Sequence, residues 1–361
     1  MDIKLIRPYI AFDEVEDQFK EVFSSGMFSN GKNVKALRKE FANYVGSDFC
    51  SLTTSATTAL WLCLKLLNVK EGDEVAISDY SYPATANVVE DLGATPVFVD
   101  VDIETFNMNP EKLKELISSK TKAVIFVDAL GNPSGLSEIK SICLENNIPL
   151  IEDAACAVGS SESKKKCGSI ADLTCFSFHP RKLICAGEGG AITTNNKDWA
   201  DWLEIKLSHG VTGFNKHRQE FEDYGYNFRL SELQAVMVRN GLLKLEEIID
   251  DRINIQKKYS LELSTLGFEP QLCNKEVRHN IQSLVFKTPS EVNRDDLVLS
   301  LRDQGIETTI GTYCLSKLGY FSKKYGIKNP CASILDRDVI SFPCFEGLDV
   351  ERVISSIKSS I

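Results

Sequence analysis

The sequence has few of the residues that build metal sites and disulfide frameworks. Its 361 residues include four histidines, and its eleven cysteines contain no Cys-x-x-Cys pair. Because no spaced set of cysteines and histidines is present, a metal site is not expected. The odd number of cysteines and the absence of a signal-peptide pattern at the start favour a protein of the reducing cytoplasm.

Long apolar runs and large basic surfaces are also missing. No stretch approaches the roughly 20 apolar residues of a membrane span, so no membrane segment is predicted. The formal net charge of −10 argues against nucleic acid as the main partner, because binding phosphates over a wide surface requires a basic face. One basic run, Lys164-Lys165-Lys166, lies among Ser and Gly and is most simply a solvated hairpin tip.

The chain does contain an alternation of short apolar strands and helices. We predict strands near 74–78, 96–101, 123–127 and 149–152, with helical segments between them. This pattern specifies an α/β fold with a mostly parallel sheet covered on both faces. After a polar loop over 211–223, a long helix starts behind Ser231 and leads into weaker patterns. We expect a large domain over 1–250 and a small C-terminal α+β domain over 251–361.

One lysine, Lys182, lies between a predicted strand that ends near Phe178 and a turn with three glycines at 187, 189 and 190. Most lysines are simply exposed. Lys182, however, is followed by four apolar residues, so we expect its amine in partly desolvated surroundings. Such an amine is nucleophilic and can form a Schiff base with a carbonyl compound.

Polar and aromatic residues follow the predicted strands, at the sheet edge where ligands bind in folds of this kind. Asp153 follows the strand near 149–152; it could cap a helix, or pair with the protonated ring nitrogen of a pyridine-based cofactor. Tyr82 follows the strand near 74–78 and is as consistent with packing as with stacking on a flat ring. Asp128 follows a third strand, the one near 123–127.

A hydroxyl-rich turn opens the first apolar helix of the sheet region. Six of the eight residues from Ser51 to Thr58 carry a hydroxyl group. Hydroxyls at a helix start can cap the helix, and the helix amides can also cradle a phosphate. Capping alone requires fewer hydroxyls than the turn provides, so both interpretations stay open.

Taken together, five motifs in this order resemble the DegT/StrS family of nucleotide-sugar aminotransferases. These are pyridoxal phosphate (PLP) enzymes of fold type I, similar to aspartate aminotransferase, and the resemblance covers nearly the whole chain. The motifs are the hydroxyl-rich helix start, the aromatic after the next strand, Glu152-Asp153-Ala154-Ala155, the stretch from Ser177 through Lys182 to Gly190, and Gly225-Tyr226-Asn227-Phe228-Arg229.

The resemblance implies a role for each site residue. Lys182 would hold PLP covalently and move the proton, and Asp153 would pair with the ring nitrogen. Tyr82 would lie over the cofactor ring, and Cys156 would lie near the hydroxyl group of that ring. The phosphate group would be bound by Ala56, Thr57 and Ser177. The resemblance also implies a homodimer with shared active sites, in which Asn227 would reach into the site of the partner subunit.

The resemblance also implies the reaction. L-glutamate would donate the amino group to a keto sugar linked to a nucleoside diphosphate, giving an amino sugar for a polysaccharide, glycan or natural product. Two alternatives stay open: a cofactor-dependent sugar dehydratase, in which histidine replaces the lysine, and a non-catalytic regulatory homologue. Lys182 argues against the first, and the presence of both Lys182 and Asp153 argues against the second.

Three positions depart from the family pattern. Ala56 stands where glycine is usual, but a backbone amide is still available there. Cys156 occupies a place often held by Gln, His or Glu, and Asp128 stands where His is common. What these last two side chains do in the site does not follow from the sequence.

Overall fold

The computed structural model describes residues 2–9 and 11–361. The α-helices of this part of the chain are α1 (Phe12–Ser25), α2 (Lys32–Val45), α3 (Ala56–Leu66), α4 (Ala84–Asp91), α5 (Pro110–Leu116), α6 (Leu136–Glu145), α7 (Lys197–Leu207), α8 (Glu232–Leu263), α9 (Arg294–Asp303), α10 (Gly319–Tyr325), α11 (Pro330–Asp338) and α12 (Val350–Ser360).

The strands fall into one large sheet and several small ones. They are β1 (Phe49–Thr53), β2 (Glu74–Ser78), β3 (Tyr80–Ser81), β4 (Thr95–Val99), β5 (Thr121–Val127), β6 (Leu150–Asp153), β7 (Ser161–Glu162), β8 (Lys165–Lys166), β9 (Leu173–Ser177), β10 (Gly190–Thr194), β11 (Val211–Asn215), β12 (Arg218–Phe221), β13 (Glu269–Pro270), β14 (Val277–Arg278), β15 (Leu284–Lys287), β16 (Thr309–Ile310), β17 (Tyr313–Cys314) and β18 (Val339–Phe342).

The large sheet has seven strands in the order β1-β10-β9-β6-β5-β2-β4. Strands β9, β6, β5, β2 and β4 pair in parallel, and β10 runs antiparallel to both of its neighbours, β1 and β9. The carboxyl ends of all strands but β10 therefore meet at one edge. The predicted α/β fold with a mostly parallel sheet is confirmed.

Helices cover both faces of this sheet, because successive strand residues are apolar on both sides. Ile77, Ile125 and Ile151 pack in one apolar cluster together with residues of α3 and α4. Val124 and Leu150, their neighbours along β5 and β6, pack in another cluster with residues of α5 and α6. Full burial of such a side chain stabilises the fold by about 1.5–3 kcal/mol.

The C-terminal part has its own antiparallel sheet, β13-β15-β18-β16, and its own apolar cluster. Helix α8 connects this cluster to the large sheet: Leu245 belongs to a cluster under the large sheet and Tyr259 to the C-terminal one. Near the start of the chain, Ile3 pairs with Ile306 and packs in the C-terminal cluster. The domain boundary near residue 250, inside α8, stays a prediction.

Two exposed segments form hairpins. The lysine run lies as expected in the hairpin β7–β8, whose tip residues Ser163 and Lys164 have positive φ angles. The polar loop predicted over 211–223 is instead a hairpin, because β11 and β12 pair across a turn. The sequence shows no alternation of apolar and polar residues in this hairpin, because the hairpin has no apolar face that packs against a core. Among the described residues, no helix is long and apolar enough to cross a membrane.

The start of α8 is fixed by a capping box and by a contact with α2. Ser231 caps the helix through its side chain, and Gln234 reaches back to the Ser231 amide at 3.0 Å. The buried carboxylate of Glu232 accepts hydrogen bonds from the amides of Asn33 and Val34, both at 2.9 Å. Glu232 therefore satisfies amides at the α2 start, where the capping residue is Gly31 and no side chain caps the helix.

Replacing Glu232 by Ala should lower the free energy of unfolding by about 1–3 kcal/mol, because two buried amides lose their acceptor. Glu247→Ala on the same helix removes an exposed carboxylate and should change it by less than about 0.5 kcal/mol. Urea denaturation of the two variants and the parent checks this. Equal effects of both substitutions would contradict the capping role of Glu232.

Candidate active site

A cleft of about 520 Å³ opens at the sheet edge where the parallel strands end. Seven of the eight predicted site residues line it: Ala56, Thr57, Tyr82, Asp153, Cys156, Ser177 and Lys182. They come from the ends of β6 and β9, the start of α3 and the loops around this edge. The alignment of strand ends thus places an amine, a carboxylate and several hydroxyls around one space.

Lys182 lies on the loop between β9 and β10 and is half-buried. A tight turn fixes the loop, because the Lys182 amide donates to the carbonyl of His179 at 2.8 Å. Further along, the Ala186 amide donates to the carbonyl of Phe178 at 2.9 Å. Both ends of the loop are therefore anchored, and the lysine projects from a short rigid connection.

The side chain of Gln282 holds this loop from the C-terminal part of the chain. Its amide nitrogen donates to the carbonyl of Arg181 at 2.7 Å, and its oxygen accepts from the amide of Leu183 at 3.0 Å. The two bonds flank Lys182 on either side. Gln282 is itself buried, so the position of the lysine depends on a residue 100 positions further along the chain.

The Lys182 amine contacts the thiol of Cys156, with Nζ and Sγ 3.0 Å apart. Cys156 is half-exposed in the cleft. Its carbonyl accepts a hydrogen bond from the side chain of Asn280 at 2.9 Å. Asn280 and Gln282 thus hold the backbones of the two contacting residues from one short segment.

Asp153 ends β6 and is buried with its carboxylate beside the cleft. One oxygen accepts from the Ala155 amide at 3.2 Å and the other from the Thr85 hydroxyl at 3.1 Å. Burial raises the pKa of Asp153, and the two hydrogen bonds and the Lys182 charge oppose that rise. Because turns and not a helix follow β6, the interpretation of Asp153 as a helix cap is wrong.

The start of α3 and the end of β9 form the polar end of the cleft. Ser55 is the helix cap, since its hydroxyl accepts from the Thr58 amide at 3.1 Å. Ala56 and Thr57 occupy the first helical positions, where amides have no partner within the helix. Ser177 lines the same cleft from β9. A helix start of this kind attracts an anion such as a phosphate.

Close approach of two backbones shapes this polar end. A Cβ atom at Gly190 would lie 2.6 Å from the carbonyl carbon of Ser55 and 2.7 Å from the carbonyl oxygen of Phe176. Gly190 therefore lets β10 pack directly against the α3 start and the end of β9. Any larger residue at this position would push the helix start away from Ser177.

Tyr82 lies at the mouth of the cleft with 67% of its surface exposed. Its ring centroid is 6.3 Å from that of Tyr313, and the two rings are tilted by 57°. Tyr82 belongs to none of the apolar clusters of the described residues. Packing in a core is thus excluded as its role, and stacking on a ligand stays a prediction.

Asp128 forms a buried polar cluster with Glu152 and Cys167. One ligand atom from each lies within 4.8 Å of the others. Glu152 accepts from Thr174 and Gly168, whereas neither Asp128 oxygen has a hydrogen-bond partner among the described residues. Burial, reinforced by the Glu152 charge, raises the pKa of Asp128 well above its usual value.

Asn227 is the predicted site residue that does not line the cleft. It is exposed, and its backbone forms a bridge to Ser208. A single chain thus does not bring Asn227 together with Lys182. This placement leaves its predicted role, reaching into the site of a partner subunit, untested.

The sequence of this chain matches one protein family over nearly its whole length. Residues 11–358 match the model of the DegT/DnrJ/EryC1/StrS aminotransferase family. The chain belongs to this family. It is a family of PLP-dependent aminotransferases, so the resemblance drawn from the five motifs is confirmed.

Relatives of this aminotransferase cover almost its whole length. The spore coat polysaccharide biosynthesis protein SpsC of Bacillus subtilis is 30% identical over 98% of this chain and 96% of its own. The GDP-perosamine synthase of Escherichia coli O157:H7 is 31% identical over 99% of this chain and 97% of its own. The solved structure of the aminotransferase TlmJ from Streptoalloteichus hindustanus has a TM-score of 0.93 and 27% identity, covering 100% and 99% of the two chains.

The residues of the cleft fit the PLP cofactor of the family. An amine for the aldehyde group is provided by Lys182, and the buried carboxylate of Asp153 is suited to a protonated ring nitrogen. Unpaired amides at the start of α3, with the nearby Ser177 hydroxyl, match a phosphate group. The assignment of each residue to its part of the cofactor stays a prediction.

Sequence reasoning missed three residues that shape the site: Thr85, Asn280 and Gln282. Thr85 follows Tyr82 by three residues at the start of α4, a spacing that could have indicated a neighbour of the same sheet edge. Asn280 and Gln282 lie in an irregular segment before β15. Nothing in the local sequence indicates their contacts, because these join residues about a hundred positions apart.

Replacing Gln282 by Leu should lower the free energy of unfolding by about 1–3 kcal/mol, because the Leu183 amide and the Arg181 carbonyl lose their partner. PLP should also bind more weakly, since the loop carrying Lys182 is released. Urea denaturation and PLP titration followed by absorbance measure the two effects. Gln304→Leu, at an exposed position outside the lining of the cleft, is the matched control. Unchanged PLP binding in Gln282→Leu would refute the positioning role.

Proposed function

We propose that this aminotransferase moves an amino group from L-glutamate to a keto sugar linked to a nucleoside diphosphate. The observation that carries the proposal is the convergence of the Lys182 amine and the buried Asp153 carboxylate on one cleft. PLP, when bound there, supplies the electron sink that makes the C–H bond of the amino donor acidic. The chain's own residues then have to bind and orient the amino donor and the acceptor, and to move one proton.

Each residue has a defined task in this proposal. Lys182 Nζ would hold the cofactor covalently and, once free, would take up the proton from the C–H bond of the donor and return it. Asp153, held by Thr85 and the Ala155 amide, would keep the ring nitrogen protonated, the form in which the ring accepts negative charge. Tyr82 covers the ring at the mouth of the cleft and limits the access of water.

The substrate class is supported by the relatives and by the space available. One relative is named for a GDP-linked amino sugar and another for spore coat polysaccharide biosynthesis. The cleft volume of about 520 Å³ lies in the range of about 300–1,000 Å³ that is usual for small-molecule sites. We propose that the product is an amino sugar for a polysaccharide, a glycan or a natural product made in the cytoplasm.

The alternatives are less well supported. A sugar dehydratase of this family would carry histidine in place of Lys182. A regulatory homologue would be free to lose Lys182 or Asp153, and this chain has kept both in one cleft. Transamination is therefore the function that the site supports best.

We further propose a homodimer in which Asn227 completes the partner's site. Asn227 is exposed and lies outside the cleft of its own chain. The hairpin β11–β12 nearby also exposes large apolar side chains, with Phe214 68% and Phe221 56% exposed. Exposed aromatics of this kind mark protein–protein contacts.

Addition of PLP to the purified protein should produce the absorbance of lysine-bound cofactor, and L-glutamate should then bleach it. Lys182→Ala should lose this absorbance and essentially all amino transfer, because Lys182 is the only lysine among the described residues that line the cleft. Amino transfer is followed with a set of nucleotide-linked keto sugars. Retention of both signals by Lys182→Ala would sink the assignment.

Mixing Lys182→Ala and Asn227→Ala chains should restore roughly a quarter of the parent activity, because one site in each mixed dimer has both residues intact. Mixing Lys182→Ala with Asp153→Ala is the matched control. These two residues belong to the same chain's cleft, so no intact site can form. Activity is measured after refolding or subunit exchange. Equal activity in both mixtures would contradict shared sites.

A further inference from the structure

We propose that Cys156 and Lys182 form a reversible covalent S–N cross-link when a peroxide oxidises the thiol, and that this modification blocks cofactor binding. The proposal starts from their contact, with Sγ and Nζ 3.0 Å apart. Lys182 is the amine that the family's chemistry requires. A bond from its nitrogen to sulfur would remove that amine from the site.

Cys156 is the cysteine that a dissolved oxidant can reach in the cleft. Among the described residues that line the cleft, no other cysteine occurs. Cys185, on the same loop as Lys182, is buried, and so is Cys175 at the end of β9. A peroxide that enters the cleft therefore meets one thiol, and that thiol already contacts an amine.

The contact is held by the surrounding structure rather than by the two side chains alone. Asn280 fixes the Cys156 carbonyl at 2.9 Å, and Gln282 holds the backbone on both sides of Lys182 at 2.7 and 3.0 Å. Because one segment fixes both backbones, the sulfur and nitrogen atoms stay close. Such a fixed pair reacts as if each group were present at high local concentration.

The chemistry takes place in two balanced steps. In the first, the Cys156 sulfur attacks one peroxide oxygen, the O–O bond breaks, and a sulfenic acid and one water molecule form. In the second, the Lys182 nitrogen attacks the same sulfur, the S–O bond breaks, and a second water molecule leaves with a proton from the amine. The peroxide is reduced, and the sulfur is oxidised.

The link is reversible by thiols. A small thiol attacks the sulfur of the S–N bond and releases the Lys182 amine, and a second thiol then reduces the mixed disulfide on Cys156. Cofactor bound to Lys182 occupies the same nitrogen and should protect the pair. The cross-link therefore switches the cofactor-free protein between a form that accepts PLP and one that does not.

The cross-link needs only the Cys156–Lys182 pair and does not depend on which sugar the enzyme uses. Its effect on PLP binding rests on the family's cofactor and not on the proposed acceptor. A failure of the cross-link and a failure of the substrate proposal are thus separate results.

The test treats cofactor-free and PLP-loaded protein with one equivalent of hydrogen peroxide, followed by alkylation, digestion and mass spectrometry. A peptide pair joining Cys156 to Lys182, lighter by two hydrogen atoms than the free peptides, is expected in the cofactor-free sample only. Dithiothreitol should separate the pair. The same samples, without digestion, are titrated with PLP, and the oxidised protein should show at least about tenfold weaker binding, restored by the thiol.

Two variants make the result specific. Cys156→Ser should form no cross-link, and PLP binding by this variant should be insensitive to peroxide. Cys273→Ser, which removes an exposed cysteine outside the cleft, should form the link like the parent. Oxidation of Cys156 to sulfinic acid without a link to Lys182, or a link that contains an additional oxygen atom, would overturn the proposal.

Discussion

The parallel pairing of the large sheet is the constraint on which the rest of the molecule depends. Pairing of β5 with β2 and β6, and of β6 with β9, brings their carboxyl ends to one edge. The strands are apolar on both faces and have to be covered by helices, so the polar groups that follow each strand collect at that edge. Asp153 and Lys182 approach each other because their strands, β6 and β9, are neighbours. Their meeting does not require a specific attraction between the two side chains.

The C-terminal part of the chain also positions residues of the cleft. The segment with Asn280 and Gln282 reaches across to the cleft and binds backbone groups of Cys156 and of the residues beside Lys182. The large sheet thus determines which residues lie around the cleft. The segment with Asn280 and Gln282 determines how close Cys156 and Lys182 lie to each other. Because α8 has side chains in both apolar clusters, the two parts are held in a fixed relation.

Sequence patterns and the family resemblance predicted most of the residues that line the cleft, but not the residues that hold them in place. Lys182 and Asp153 were predictable because each stands at or beyond the end of an apolar strand, where the pattern itself changes, whereas Ser177 followed from the family resemblance. Gln282 was not, because a lone glutamine in an irregular segment carries no periodic signal and its partners lie 100 residues away. The hairpin β11–β12 was missed because neither strand faces a core. Asn227 stays a prediction, since a single chain cannot show what a second copy contacts.

The antiparallel strand β10 also determines when β1 joins the sheet during synthesis. Strand β1, which leads into the α3 start, pairs in the sheet only with β10. At about 5–20 residues per second, β10 leaves the ribosome on the order of ten seconds after β1. Until then, β1 and the turn that leads into α3 have no neighbouring strand in the sheet. During synthesis, the polar end of the cleft therefore takes shape only after the strands from β2 to β9 have been made.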